Sequence, residues 1–203
     1  MPTIPQPDNT AAPVRRYWGQ RVKDDGTWRI DSRNGRQMEA PGEDLAALRS
    51  GLGQSAGTVP ALWPFYTSVT DGRVTPELEA EHAALSLYGL HQQSERRPMH
   101  KRGVRVGAAL RALHRSERFS EEAVDRRVAA AVNTTSVPSL VYRLRGLIAQ
   151  LRSIGQPLDY DQLLRDIKDW HHPESRRRVR RAWGLSYHSW ASSADNKPAP
   201  KAD

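Results

Sequence analysis

The sequence predicts an all-α protein, a compact helical bundle with a disordered tail at each end. From Thr75 onward, apolar residues recur at helical spacing, and capping residues precede most of these segments. An alternating pattern typical of strands is missing over any useful length. Residues 1–13 are rich in Pro, Thr and Asn, and residues 192–203 are low in apolar content. We therefore expect one folded domain over residues 14–191.

The first half of the chain contains one segment whose structure the sequence leaves open and two predicted helices. Residues 14–40 contain turn signals at Asp25-Gly26 and Asn34-Gly35, and their structure stays open. A short helix is predicted over Glu43 to Ser50, since acidic residues occupy its first turn and a glycine follows it. Thr75 is then an N-cap for a helix that runs to about Gln93. Its apolar residues lie on several faces, which indicates a buried central helix.

The remaining helices are predicted from the residues that begin them. One helix is expected to begin at about Gly103. The next two begin after the caps Ser120 and Ser136, another begins with a capping box of Asp159 and Gln162, and Pro173 starts the last helix. Trp170, Trp183 and Trp190 fit the apolar stripes and are expected in the core. Tyr142 lies opposite the stripe of its helix, so it is a candidate for base stacking or for protein contact.

Most of the positive charge lies between Arg96 and Arg181. This region contains 20 Lys and Arg residues and 9 Asp and Glu, a net charge of +11, whereas the rest of the chain contains 11 and 14, a net charge of −3. Lys101 and Lys168 are its two lysines. A genome rich in Arg codons would explain that ratio but not the regional charge. Because guanidinium groups pair bidentately with phosphate, the region indicates a phosphate backbone as partner.

The composition argues against several kinds of chemistry. The chain has no cysteine, which excludes disulfides, Cys-ligated zinc and thiol nucleophiles. His171 and His172 point about 100° apart on a helix and make poor joint ligands. Gly53 to Gly57 match the Gly-x-Ser-x-Gly pattern, but a helix precedes the serine where a nucleophile elbow needs a strand. We therefore predict no enzyme activity and no cofactor.

The sequence predicts neither a metal site nor a segment that spans a membrane. Four aspartates are candidate metal ligands, but Asp159 is better used as a cap and Asp161, Asp166 and Asp169 are spread along a helix, so no metal site is predicted. No stretch approaches the roughly 20 apolar residues that span a bilayer, and the first 13 residues do not resemble a signal peptide. We expect a soluble, cytoplasmic protein without a membrane partner.

Five segments together resemble the CasB-type small subunit of Cascade, the type I-E CRISPR surveillance complex of antiviral defence. They are ALSLYGLHQQS (84–94), VGAALRAL (106–113), LVYRLRGLIAQLRS (140–153), PLDYDQLLRDIKDW (157–170) and VRRAWGLSYH (179–188). Each is an ordinary helical piece, but their order and spacing make the similarity specific. It covers about residues 63–190.

The resemblance implies an all-helical subunit without catalytic activity. It implies a second copy of the chain, arranged head to tail, beside the backbone subunits that carry the crRNA and near the large subunit. Such subunits help to hold the crRNA–target heteroduplex and stabilise the displaced strand of the R-loop. The implied partners are therefore crRNA, both strands of the target DNA and other Cascade subunits. A basic helical surface suits this role, because it tracks phosphates and leaves sequence recognition to the guide.

The resemblance also implies a basic surface for nucleic acid. Its candidate residues are Lys101, Arg102, Arg105, Arg111, Arg126, Arg127, Arg143, Arg145, Arg177, Arg178 and Arg181.

Other functions remain open from the sequence. A helical adaptor would use the same arginines against acidic proteins. A helix-turn-helix regulator is less well supported, because the second helix after the turn at residues 116–119 begins with Glu121 and Glu122, which repel phosphates. An enzyme ranks last.

Overall fold

The computed structural model describes residues 14–188, which form eight α-helices and one 3-10 helix. They are α1 (Tyr17–Arg21), α2 (Gly42–Arg49), the 3-10 helix Pro60–Phe65, α3 (Pro76–Gln92), α4 (Val106–His114), α5 (Glu121–Val132), α6 (Val137–Ser153), α7 (Tyr160–Trp170) and α8 (Pro173–Tyr187). The predicted all-α class is confirmed. The predicted tails, residues 189–191 and with them Trp190 lie outside the described residues. Within the described part of the chain, no helix is long and apolar enough to cross a membrane.

Helix α3 is the centre of the bundle, as its apolar residues on several faces predict. Thirteen of its 17 residues are buried. It packs against α2, α6 and α7. At Gly89 the helix comes so close to α2 that a Cβ atom would lie 2.7 Å from the Cβ of Leu48. Glycine at this position therefore sets the distance between the two helices.

Helix α4 organises the other side of the bundle. It packs mainly against α8 and also against α5 and α6. Its contact with α8 is close at Gly107, where a Cβ atom would lie 2.4 Å from the backbone oxygen of Trp183. Helix α6 contacts α3, α4 and α5, and α7 contacts α3 and α8, so the two sides share one hydrophobic core.

Side-chain caps fix the starts of four helices. The side chains of Thr75, Ser120, Ser136 and Asp159 each accept a hydrogen bond from a backbone N–H in the first turn of α3, α5, α6 and α7. Such a bond satisfies a donor that has no partner within the helix. These four predicted caps are confirmed.

Two local predictions are wrong. Helix α4 begins at Val106 and not near Gly103, because Gly103 has φ +84° and ends the preceding turn. The capping box at α7 is half formed. The Asp159 side chain accepts a hydrogen bond from the backbone N–H of Gln162. The Gln162 side chain does not bond back to Asp159, because its amide donates to Asp166.

Residues 14–40 add a segment that sequence patterns left open. Its helix α1 is followed by two antiparallel bridges, Val22–Trp28 and Ile30–Gln37. Trp18 is fully buried and donates from Nε1 to Asp161, 2.9 Å away. Trp28 donates to the backbone oxygen of Arg96 over 2.8 Å. The segment therefore adds Trp18 to the core and contacts the loop between α3 and α4 at Arg96.

A buried carboxylate joins this segment to α3. Glu81 is fully buried and pairs with Arg16. Burial alone would raise the pKa of Glu81, but hydrogen bonds from Ser68, Thr67 and Arg16 hold the pKa below its ordinary value. The charge is thus compensated, as a buried ion requires.

Substituting Gly107 by Ala should destabilise the protein by about 1–3 kcal/mol, because the new methyl group overpacks the α4–α8 contact. Gly184→Ala in α8 is the matched control, since a Cβ there meets nothing within 4 Å. We expect it to stabilise the helix by about 0.5–1 kcal/mol. Denaturant unfolding measures both changes, and equal effects at the two positions would contradict the packing described for Gly107.

The buried His91 makes stability depend on pH. Burial lowers its pKa from 6.5 to about 3. The unfolded chain binds a proton near pH 6.5 and the folded chain does not, so stability is full above that pH and falls as the pH decreases towards 3. The loss from this residue is about 2 kcal/mol at pH 5. His91→Gln should remove this part of the pH dependence, whereas the exposed His188→Gln should not. Denaturation curves at pH 7 and 5 test this; the same pH loss in His91→Gln would refute it.

Candidate nucleic-acid interface

Helix α5 presents one apolar and one basic face. Val124, Val128 and Ala131 are buried against the core. Arg126 and Arg127 are exposed on the outer side. Both arginines therefore lie outside the buried stripe of this helix.

Helix α6 repeats this division over a greater length. The residues that face the core are Val137, Leu140, Leu144, Leu147, Ile148 and Leu151. Tyr142, Arg143 and Arg145 are exposed. The guanidinium of Arg143 lies 5.7 Å from the centre of the Tyr142 ring, close enough for a cation–π interaction.

The outer faces of the two helices form the α5–α6 groove, which has a volume of about 780 Å³. Four predicted residues line it together, namely Arg126, Arg127, Arg143 and Arg145, and Tyr142 lies beside them. Within residues 14–188, no carboxylate belongs to its lining. Glu122 lies one turn before Arg126 on α5 but outside this lining, so the charge of the lining residues themselves stays available for an external anion. Next to Tyr142 and Arg143, a smaller depression continues over the α5–α6 connection.

The predicted residues around α4 lie elsewhere. Arg102 pairs with Asp24 over 3.0 Å, and both side chains are exposed. Lys101 lies against Gly26, in the turn that follows Asp24. Arg105 is exposed at the start of α4, whereas Arg111 is half-buried on that helix. The structure therefore places these four residues outside the lining of the α5–α6 groove.

The predicted arginines of helix α8 are exposed. Of the predicted residues, Arg177 pairs with Glu174 of the same helix, Arg178 donates to the Ser175 hydroxyl over 2.8 Å, and Arg181 is exposed.

Arg176 and Arg180, on another face of α8, have structural contacts. They donate to the backbone oxygens of Thr135 and Thr134, at 2.5 and 2.6 Å. Arg180 also lies over the Trp170 ring, and desolvation lowers its pKa. These two residues support the connection between α5 and α6, a role that their sequence spacing does not reveal.

The remaining sequence motifs have structural roles. Trp170 and Trp183 are buried, as predicted, and Tyr142 is 71% exposed. Gly53 to Gly57 form turns after α2, so the serine among them is not on a nucleophile elbow. Asp166 accepts from the indole of Trp183, and no group of three potential ligands among the described residues could hold a metal ion.

Comparison with known proteins identifies the family. Residues 44–188 match the family model of the CRISPR-associated protein Cse2. CasB from Thermobifida fusca is 31% identical over 73% of this chain and 85% of its own, with a TM-score of 0.60. A Cse2-family protein from Thermus thermophilus is 24% identical over 71% and 85%, with a TM-score of 0.57. A chain of a structure described as a CRISPR RNA-guided surveillance complex is 22% identical over 71% and 81%, with the same TM-score. Among curated proteins, none matches significantly.

The chain belongs to the CRISPR-associated protein Cse2 family, because the family model matches well over half of its length. The match to CasB confirms the resemblance to the CasB-type small subunit that the sequence indicated. The structures below 25% identity support the fold alone. The family model begins within α2, so residues 14–40 lie outside it.

The two kinds of arginine on α8 should differ in their effect on stability. Arg180→Ala removes a charged hydrogen bond to Thr134 and should destabilise the protein by about 1–3 kcal/mol. Arg181→Ala changes an exposed side chain and should cost less than about 0.5 kcal/mol. Thermal or denaturant unfolding distinguishes the two, and a similar loss for Arg181→Ala would show that the division is incorrect.

Proposed function

We propose that this chain is a non-catalytic small subunit of a CRISPR surveillance complex and binds nucleic acid through the α5–α6 groove. The observation that carries the proposal is the convergence of Arg126, Arg127, Arg143 and Arg145 on one open surface. Two neighbouring helices contribute two of these side chains each. Phosphates of one strand are the matching ligand.

The groove is suited to phosphates more than to base edges. Its lining contains arginines, one tyrosine and small residues such as Ala123 and Ala130. A surface of this kind neutralises phosphates on any sequence. The proposed role is therefore to stabilise the crRNA–target heteroduplex and the displaced strand of the R-loop, while base pairing with the guide provides specificity.

The proposal also includes partners. A related chain occurs in a structure described as a CRISPR RNA-guided surveillance complex. We therefore infer association with crRNA, with both target strands, with backbone and large subunits, and with a second copy of this chain. Lys101, Arg102, Arg105, Arg111, Arg177, Arg178 and Arg181 stay candidates for these nucleic-acid contacts.

A protein adaptor is the second candidate function. Trp63, Val69 and Leu185 are 56, 94 and 68% exposed, which leaves apolar side chains at the surface that a partner subunit could cover. Under this alternative, the isolated protein would bind partner subunits without salt-sensitive binding of DNA or RNA.

The first test is a salt titration of the purified protein with single-stranded DNA and two unrelated duplexes of equal length. Four groove arginines on a single strand give an expected slope of about −3 in log affinity against log salt, or about 50-fold weaker binding at 200 than at 50 mM. The two duplexes should bind alike. Absence of binding at every salt concentration would favour the adaptor, and strong preference for one duplex a sequence-specific regulator.

Replacing Arg126 and Arg127 together by Ala should reduce the magnitude of the single-strand slope by about 1.4, because two phosphate contacts are lost. Folding should be unaffected, since both side chains are exposed. The control is Arg33→Ala with Arg36→Ala, which removes the same charge from an exposed turn outside the groove. Its slope should change by less than about 0.3. An unchanged slope in the groove variant would refute the role of Arg126 and Arg127.

A further inference from the structure

A second depression opens beside the α5–α6 groove and has a different chemical character. It lies between α3, α6 and the loop 51–56, and its volume is about 380 Å³. Apolar side chains make up most of its wall, among them Ala83, Val137 and Val141. Enclosed sites for small molecules have volumes of about 300–1,000 Å³ and walls of this composition. We refer to this depression as the α3–α6 cavity.

The groove and the cavity share two residues. Tyr142 and Arg145 of α6 line both depressions. Tyr142 is 71% exposed, so its ring is available at the boundary between the basic and the apolar surface. A ligand with an anionic part and an uncharged planar part could therefore reach both surfaces at once.

The buried floor of the cavity is uncharged, whereas the carboxylate of Glu79, which also lines the cavity, lies 3.2 Å from Nε2 of His171. His82 is buried there, with Nδ1 2.7 Å from the Tyr66 hydroxyl and Nε2 3.0 Å from the backbone oxygen of Gly51. Burial lowers the pKa of His82, so the ring is neutral at pH 7. The neighbouring Ser86 donates its hydroxyl hydrogen to the backbone oxygen of His82. These polar groups are engaged within the protein, which leaves an interior suited to a neutral, weakly polar ligand.

We propose that the α3–α6 cavity accepts an unpaired nucleobase of a strand whose phosphates lie in the α5–α6 groove. This inference rests on the proposed function, since the groove has to hold the strand. A nucleobase is planar and uncharged, and its sugar links it directly to a phosphate. Arg145 can meet that phosphate at the rim, while Tyr142 stacks on the base at the entrance.

The cavity determines which nucleic acids bind well. A base in a duplex is paired and stacked, and unstacking it costs a few kcal/mol, whereas an unpaired base enters without this cost. The protein should therefore prefer single strands to duplexes. The mainly apolar wall distinguishes bases poorly, so any base should serve.

The experiment compares two single strands of equal length and phosphate number at 50 mM salt, one with normal bases and one composed of abasic sites. We expect wild-type protein to bind the normal strand about tenfold more tightly, the effect of roughly one stacked base. Salt-sensitive and equal binding of both strands would overturn the inference and leave the proposed function intact. Absence of salt-sensitive binding to either strand would overturn both.

Three variants locate the base. Val141→Phe fills the cavity from its α6 wall and should reduce the preference for the normal strand to less than about twofold, with abasic-strand affinity unchanged. Val69→Phe is the control, because Val69 is 94% exposed and does not line the cavity. It should keep the tenfold preference. Tyr142→Ala, at an exposed position, should also reduce the preference, and an unchanged preference in this variant would overturn the inference even where Val141→Phe unfolds.

Other results would contradict the inference. If Tyr142→Ala abolishes the preference and a folded Val141→Phe does not, the base stacks on Tyr142 outside the cavity. If Val141→Phe keeps the preference but loses association with partner subunits, the occupant is an apolar side chain of a protein. Loss of the preference in Val69→Phe would place the base contact elsewhere.

Discussion

Burial of the apolar stripe of α6 is the interaction on which the rest of the structure depends. Leu140, Leu144 and Leu147 pack into the core that α3, α4 and α5 share. Side chains on opposite sides of a helix are fixed relative to each other, so this burial sets the outward direction of Tyr142 and Arg145. Hydrophobic packing thus holds the helices that carry the basic surface in place.

The arginines of this chain divide into two groups with different physical roles. Arg16 compensates a buried carboxylate, and Arg176 and Arg180 donate to backbone oxygens of the α5–α6 connection. Arg126 and Arg145 instead line an open groove without a carboxylate among its described lining residues. The first group stabilises the fold, and the second leaves positive charge at an open surface. Net charge alone therefore overstates the number of cations available to a ligand.

The helices from α3 onward were predictable because their signals are local. Thr75, Ser120 and Asp159 mark helix starts through hydrogen bonds that span only three residues. The segment 14–40 was not predictable, because Trp18 and Asp161 meet across 143 positions. Arg126, Arg127, Arg143 and Arg145 lie on exposed faces of their helices, but which of the candidate arginines share a groove depends on the packing of α5 against α6. The α3–α6 cavity has no sequence signal, since its walls come from three separate parts of the chain.

Photo-cross-linking of a single strand to the full-length protein, with the attached peptides identified by mass spectrometry, tests the central claim most directly. Cross-links should concentrate on residues 123–149, in the α5–α6 groove and at Tyr142, and should disappear as salt increases. Cross-links concentrated on α8 or on residues 101–105, with α5 and α6 unlabelled, would contradict the account and assign the binding surface to another side of the protein.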